Sequence, residues 1–467
     1  GRPRAGALGR PSCQTLAIFG LLIVTGFMVL IMTKKAPPFT SLVLVPLVIG
    51  TVTGLMSQYG YTALEIPKFA IAGMISNADL KINGVAGTAI MLLFAILYFG
   101  LMLSAGLFTP VVNFILRTIK GDPLKVMLGT ALLALAVSVD GDGSTTTLVV
   151  CSAMMPVYRK LNMKMMDLAV VLILSNSIMN LLPWGGPTAR IIAALKVDEG
   201  ELLRLIIPGM ILASIWVLII AVIRGLAERK RLGIQNLSKE DIEAVIAEQY
   251  QEDADLARPK LVWFNFLLTA IIMIQLIFGG TWIFPKVHAA LIFAVGLAIA
   301  LTVNYHHPAD QRRIIEKYGS SAVQVIFMVL AAGVFMGILA GTGMSEAMGY
   351  ALATWVPESF GSHWPLVVAL VSVPGTFVLS NDAFYLGVLP VLNQVGIQQG
   401  FSAMDIAVAS TAGQAFHLLS PLVGFIYLLL NLTGVDMGRW QIQSAKWGIG
   451  VFLMFLVGMF AISGVPL

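Results

Sequence analysis

Charge is what this sequence has least of. Lys, Arg, Asp and Glu make up 11% of its 467 residues, where a soluble domain carries roughly a quarter. That scarcity excludes water as the solvent for most of the surface. Cysteine is scarcer still, with Cys13 ahead of the first apolar run and Cys151 inside another. Two thiols so placed exclude a disulfide or metal framework and read as packed side chains. Walker loops, nucleophile elbows and the HExxH spacing are all missing. Nothing is left on which to anchor enzymatic chemistry. His306-His307 lie in a basic loop and read as solvated rather than ligating. Polar stretches are short, with one exception at 225–262.

What is present is apolar. Hydrophobic residues make up 58% of the chain, and the mean hydropathy is +0.89. A membrane helix needs roughly 20 apolar residues, and such runs recur throughout. The net charge of +5 is no nucleic-acid signal, because the basic residues sit in short loops, where the positive-inside rule uses them. Residues 1–14 carry three arginines and no pattern, and read as a leader or tag remnant. The apolar runs predict an all-α polytopic membrane protein with about ten full spans.

Four runs, 126–139, 147–158, 366–379 and 384–397, are too short to cross alone. They pair about short polar tips, which predicts two re-entrant hairpins, 126–158 and 366–397. Two longer runs, 167–195 and 404–432, contain helix breakers and predict interrupted helices. Placing the basic clusters inside gives one topology. The first hairpin opens to the cytoplasm, the second opens outside, and 225–262 is a cytoplasmic linker. In that linker, Ser238 and Asp241 predict a cap for a surface helix striped by Ile242, Val245 and Ile246.

The chain also repeats itself. A shift of 237 positions sets Phe99-Gly100 on Met336-Gly337, Gly143-Ser144-Thr145 on Ser380-Asn381-Asp382, and Asn180 on His417. One register thus aligns a glycine pair, both tips and both helix breaks. With opposite orientation in the membrane, 15–224 and 263–467 form two inverted-topology repeats, an architecture of many secondary transporters.

The candidate site follows from the polar interruptions. The first tip runs Asp140-Gly141-Asp142-Gly143-Ser144-Thr145-Thr146. Ionisable residues at membrane depth mark functional sites. The helix starting near Thr145 directs its N-terminus at the tip and favours an anion there. The second tip is Ser380-Asn381-Asp382, where Ser380 or Asn381 fits a helix cap and Asp382 is a third acid. The first break holds Asn180, Pro183, Gly185, Gly186, Thr188 and Arg190. Its breakers free backbone carbonyls for a ligand. Arg190 suits either a carboxylate partner or an outward snorkelling pose. The second break holds Gln414, His417 and Ser420. His417 suits either substrate or proton binding, or hydrogen-bonded packing.

These motifs together resemble the citrate–metal:proton symporter family (CitMHS) of the ion transporter superfamily. The carriers are LLFAILYFGLMLSAGLF (92–108), DGDGSTT (140–146), MNLLPWGGPTAR (179–190), LSNDAFYLGVLPVL (379–392) and the stretch 410–436. The resemblance implies proton-coupled uptake of citrate complexed with a divalent metal such as Mg or Ca, or with Fe(III). It further implies no permanently bound cofactor, a homodimer in the bacterial inner membrane, and elevator-type alternating access. Gly143, Ser144, Thr145, Thr146, Ser380 and Asn381 would bind substrate together with the residues named at the breaks. Asp140, Asp142 and Asp382 would hold the proton or face the metal. Sodium-coupled relatives carry Ser-Asn-Thr at both tips. Gly-Ser-Thr and Ser-Asn-Asp stand here instead, which suits protons. A carrier of free di- or tricarboxylates or of other organic acids, such as gluconate-like ones, and a cation/proton antiporter are the other readings left open.

Overall fold

The computed structural model describes residues 10–56, 59–119, 121–234, 255–280, 283–354 and 357–466. The linker cap at Ser238 and Asp241 and its apolar stripe lie outside them. Among the described residues the chain is helical, and its only β pairing is an isolated bridge between Asn77 and Ile82. The first half comprises α1 (Arg10–Met32), α2 (Pro38–Leu55), α3 (Ile66–Ile75), α4 (Ala86–Ser104), α5 (Thr109–Ile119), α6 (Pro123–Val137), α7 (Gly143–Lys160), α8 (Met165–Met179), α9 (Gly186–Leu195) and α10 (Glu199–Leu232). After the linker come α11 (Val262–Phe278), α12 (Ala289–Asn304), α13 (Pro308–Gly341), α14 (Met344–Ala353), α15 (Trp364–Val378), α16 (Leu389–Gln398), α17 (Ala403–Ser410), α18 (Gly424–Thr433) and α19 (Met437–Leu456).

Local chemistry sets the ends of these helices. Asp122, Asp198 and Asp436 each accept a backbone N–H from the first turn of α6, α10 and α19. Helix α10 carries Glu199 and Glu201 in its first turn and Arg229, Lys230 and Arg231 in its last, as its dipole favours. It runs eight residues past Arg224 before Gly233 ends it at φ 72°. Close crossings use glycine. Gly333, Gly337 and Gly341 of α13 pack on Phe69 and Gly73 of α3, where an added Cβ would strike backbone or ring atoms.

Among the described residues eight helices are long and apolar enough to cross a membrane, where the sequence predicts about ten spans. The difference has a physical cause at each place. Helix breaks divide 167–195 and 404–432 into shorter pieces, and α12 has 16 residues. In the other direction, a 3-10 turn at Ser138–Asp140 extends α6, so Pro123–Asp140 reaches spanning length. Helices α6 and α7 pack on one another across the first tip, and α15 packs on the segment following the second.

Candidate functional site

The first tip is built by its own acids. Gly141 reverses the chain at φ 80°, in the left-handed region open to glycine. Asp140 Oδ1 accepts the Asp142 N–H at 2.9 Å. The Asp142 carboxylate accepts the N–H groups of Ser144 at 3.3 Å and Thr145 at 2.8 Å. It also accepts the Thr145 hydroxyl at 2.6 Å. The anion at the N-terminus of α7 is therefore Asp142 itself, a cap. Asp142 is exposed and Asp140 half-buried. Gly143 is fully covered, because the ring of Phe425 occupies the space a side chain would need.

At the second tip, Ser380 Oγ accepts the Ala383 N–H at 3.1 Å. The chain then runs through a π-helical segment, Ala383–Val388, into α16. Such segments are rare and cluster at functional sites. Asp382 pairs with Arg190, Nε to Oδ1 at 2.5 Å. Their side chains are only 22% and 17% exposed, so the pair is largely withdrawn from solvent. Arg190 Nη1 also donates to the Gly186 carbonyl at 2.7 Å. Of the two poses open to Arg190, the structure adopts the carboxylate partner.

The first break runs from Asn180 to Gly185. The Gly185 N–H donates to Leu182 at 2.7 Å, and Gly185 sits so close to the Asn180 carbonyl that no side chain fits. Pro183 lies inside this turn, and Gly186 and Pro187 start α9. Thr188, fully buried, donates to the Leu181 carbonyl at 2.8 Å. The carbonyls of Leu181, Leu182 and Gly186 thus accept internal bonds.

In the second break, Ser420 is buried and its Oγ accepts the Leu422 N–H at 3.2 Å. His417 is 4% exposed. Its Nδ1 lies 2.6 Å from the Thr376 carbonyl, which only accepts, so Nδ1 carries the proton. This bond ties His417 to α15. Gln414 is fully buried and donates to Asn381 Oδ1 at 3.1 Å and to the Tyr385 hydroxyl at 2.8 Å. Thr146, also fully buried, donates to Ser138 Oγ at 3.2 Å.

The first break touches both tips, and the second break with the helix after it does the same. Trp184 Nε1 donates to the Val139 carbonyl at 2.8 Å, so the first break grips the first tip, while Arg190 grips the second. Gln414 holds the second tip, and Phe425, just beyond the second break, covers the first. Trp184 also stacks on Phe99 of α4 at 4.9 Å and meets Phe293 of α12 edge-on at 5.3 Å.

Three residues here escape sequence reasoning: Trp184, Tyr385 and Asn176. Asn176 Nδ2 donates to Ser138 Oγ at 3.2 Å and Thr146 Oγ1 at 3.4 Å. It serves the first tip as Gln414 serves the second. Its signal was available, since 176 and 414 differ by one position more than the repeat register. Among the described residues no group of three or more His, Cys, Asp or Glu is placed to hold a metal.

Comparison with known proteins follows the same lines. Residues 27–413 match the family model described as citrate transporter, CitMHS. A citrate transporter of Bacillus subtilis (strain 168) is 41% identical over 442 residues, covering 95% of this chain and 97% of that protein. A Mg(2+)/citrate complex secondary transporter of the same organism is 41% identical over 453 residues, covering 96% and 100%. Among solved structures, Neisseria gonorrhoeae MtrF, of a class of antimetabolite efflux pumps, aligns with a TM-score of 0.61. That alignment covers 90% of this chain and 95% of MtrF at 13% identity, and so speaks to the fold alone. The chain is a multi-pass membrane transporter rather than an enzyme, and it belongs to the CitMHS family of citrate transporters.

Proposed function

We propose that this protein takes up citrate as a complex with a divalent metal ion, Mg or Ca, or with Fe(III), and that protons drive the uptake. The observation that carries the reading is the convergence of both tips on residues 180–190, through Trp184 to Val139 and Arg190 to Asp382. Two half-membrane elements meeting at one interrupted helix are what a midplane substrate site requires. The charges suit the cargo. Citrate alone is multiply anionic and costly to carry through lipid. Chelation cancels part of that charge and a proton cancels more. Asp140 and Asp142 would face the metal side of the complex. Ser144, Thr145, Ser380, Asn381 and backbone groups would take its carboxylates. Buried Thr146, Thr188, Gln414 and His417 would stand behind that layer and fix it. The names of the Bacillus relatives support both the acid and the metal.

In this reading 15–224 and 263–467 are inverted repeats, and the tips end re-entrant hairpins entering from opposite sides. The recurring order of α6 to α10 in α15 to α19 supports it. The transporting body then moves against the rest in an elevator-type cycle, as a homodimer in the bacterial inner membrane, with 225–262 in the cytoplasm.

Citrate uptake into everted or right-side-out vesicles, with and without Mg²⁺, Ca²⁺ or Fe³⁺ and under an imposed pH gradient, tests the proposal. Uptake is expected only with metal present and faster with an inward proton gradient. Equal uptake of metal-free citrate would make the protein a free-acid carrier. Proton release driven by metal alone would make it a cation/proton antiporter.

A further inference from the structure

Lys196 follows α9 at φ 58°, in the left-handed region where a side chain is strained. The position ending α18 in the same way is Gly434, at φ 66°. Glycine is thus the residue that suits this turn, and one half uses lysine. The Lys196 Nζ is sealed from solvent and has no hydrogen-bond partner. An unpaired ammonium in such a place is far costlier than a neutral amine.

Nearby acids are already engaged. The elements packed on α9 are α4, α13, α16, α17 and the π segment. Their titratable groups begin with Asp382 and Tyr385 about the second tip, Asp405 in α17 and Tyr98 in α4. Asp382 pairs with Arg190, and Asp405 forms a capping box with Ser402. Tyr385 bonds Gln414 and Ser410, and Tyr98 bonds Thr269. In α13 they are Asp310, Arg312, Arg313, Glu316, Lys317 and Tyr318. Helix α13 meets α9 at Val325, Met328 and Val329, about two turns beyond Tyr318. In the adjoining loop, Asp198 holds Lys286 at 2.7 Å and Glu199 accepts the Ala289 N–H at 3.3 Å. No counter-ion remains for Lys196.

We propose that Lys196 is a proton-loading group of the transport cycle, neutral while its Nζ is sealed and protonated when the end of α9 opens to water. The amine lone pair takes a proton from solvent and returns it, and no other bond changes. This rests on the proton-coupled reading above. Burial alone pushes the amine down from 10.5 to about 8, within reach of physiological pH. It also explains why lysine stands at a glycine turn, and why the ion-paired Asp382 need not carry the proton.

Lys196→Gly and Lys196→Met in the full chain test the inference. Glycine takes this backbone without strain, so folding is not at risk. The first measurement is thermal unfolding in detergent. Between the folded and unfolded pKa the unfolded chain binds the extra proton, so wild-type stability rises with pH there. The Tm advantage of Lys196→Gly over wild type should narrow between about pH 8 and 10.5. A constant difference would overturn the proposal. The second is proton uptake per citrate in proteoliposomes. Both variants should lose about one proton per complex and flatten the uptake profile between about pH 7 and 9. Unchanged stoichiometry and profile, with wild type transporting normally, would remove Lys196 alone. A wild type that moves citrate without protons would overturn the coupling reading and this inference together.

Discussion

Residues at the first tip hold two roles at once, and substitution separates them. Asp142 caps α7 through three hydrogen bonds and supplies a negative charge. Asparagine caps nearly as well as aspartate, while alanine does not. Asp142→Ala should therefore lower stability by ~1 kcal/mol, and Asp142→Asn by far less. Thermal unfolding checks that order. Metal-dependent citrate uptake should fall strongly in both. Full uptake by Asp142→Asn would reduce Asp142 to a cap. The sequence marks this residue as a candidate, since an acid between glycines in an apolar run is costly unless it binds something. It left open whether the charge is spent on the backbone, because that depends on where the N–H groups of α7 point.

At the scale of elements, the tips depend on cross-half packing. Gly143 lies under Phe425, so a larger residue must push that ring away. Gly143→Val should cost about 1–3 kcal/mol through overpacking and reduce uptake more than it reduces folded yield. Phe425→Ala placed on Gly143→Val should restore part of both, as measured by fluorescence-detected size exclusion and vesicle uptake. A rescue absent in both readouts would show that the ring is not the obstacle. Apolar periodicity and breakers foretold the interrupted helices. The extension of α6 through Asp140 was not foretold, because Ser138 and Val139 belong equally well to a turn or a last helical turn.

Across the whole molecule, α10 is tied at both ends. Near its C-terminus Arg224 pairs with buried Asp167, and buried Glu228 with Lys164 at 3.5 Å. At its N-terminus Asp198 reaches Lys286, in the loop between α11 and α12. Burial raises the Asp198 pKa, but hydrogen bonds from Lys286 and the Glu201 N–H outweigh it and hold the carboxyl below 3.8. A lowered carboxylate pKa gives stability that is complete above the unfolded value and lost as pH falls through the folded one. The pair is thus intact throughout the range where uptake is measured. Both side chains are substantially exposed, so solvent screening leaves the pair little weight in stability. Asp198→Asn should change the rate of uptake but leave the shape of its pH profile between about pH 5 and 8 unaltered. A displaced profile would make this ion pair part of proton coupling.

The sequence by itself determined the solvent, the helical class, the family and the places where helices stop. Those properties follow from composition, run length and breakers, which act locally along the chain. Its internal register proposes a pairing of the two tips and of the two breaks. Tertiary structure decided what each polar residue does. Arg190 had two plausible destinations, and only the approach of α9 to the second tip selected Asp382. His417 went to the Thr376 carbonyl, Gln414 to Asn381 and Tyr385, and Trp184 to Val139. Each of these partners lies 29 or more positions away. Contacts over such separations depend on how whole helices pack, and no local pattern encodes that.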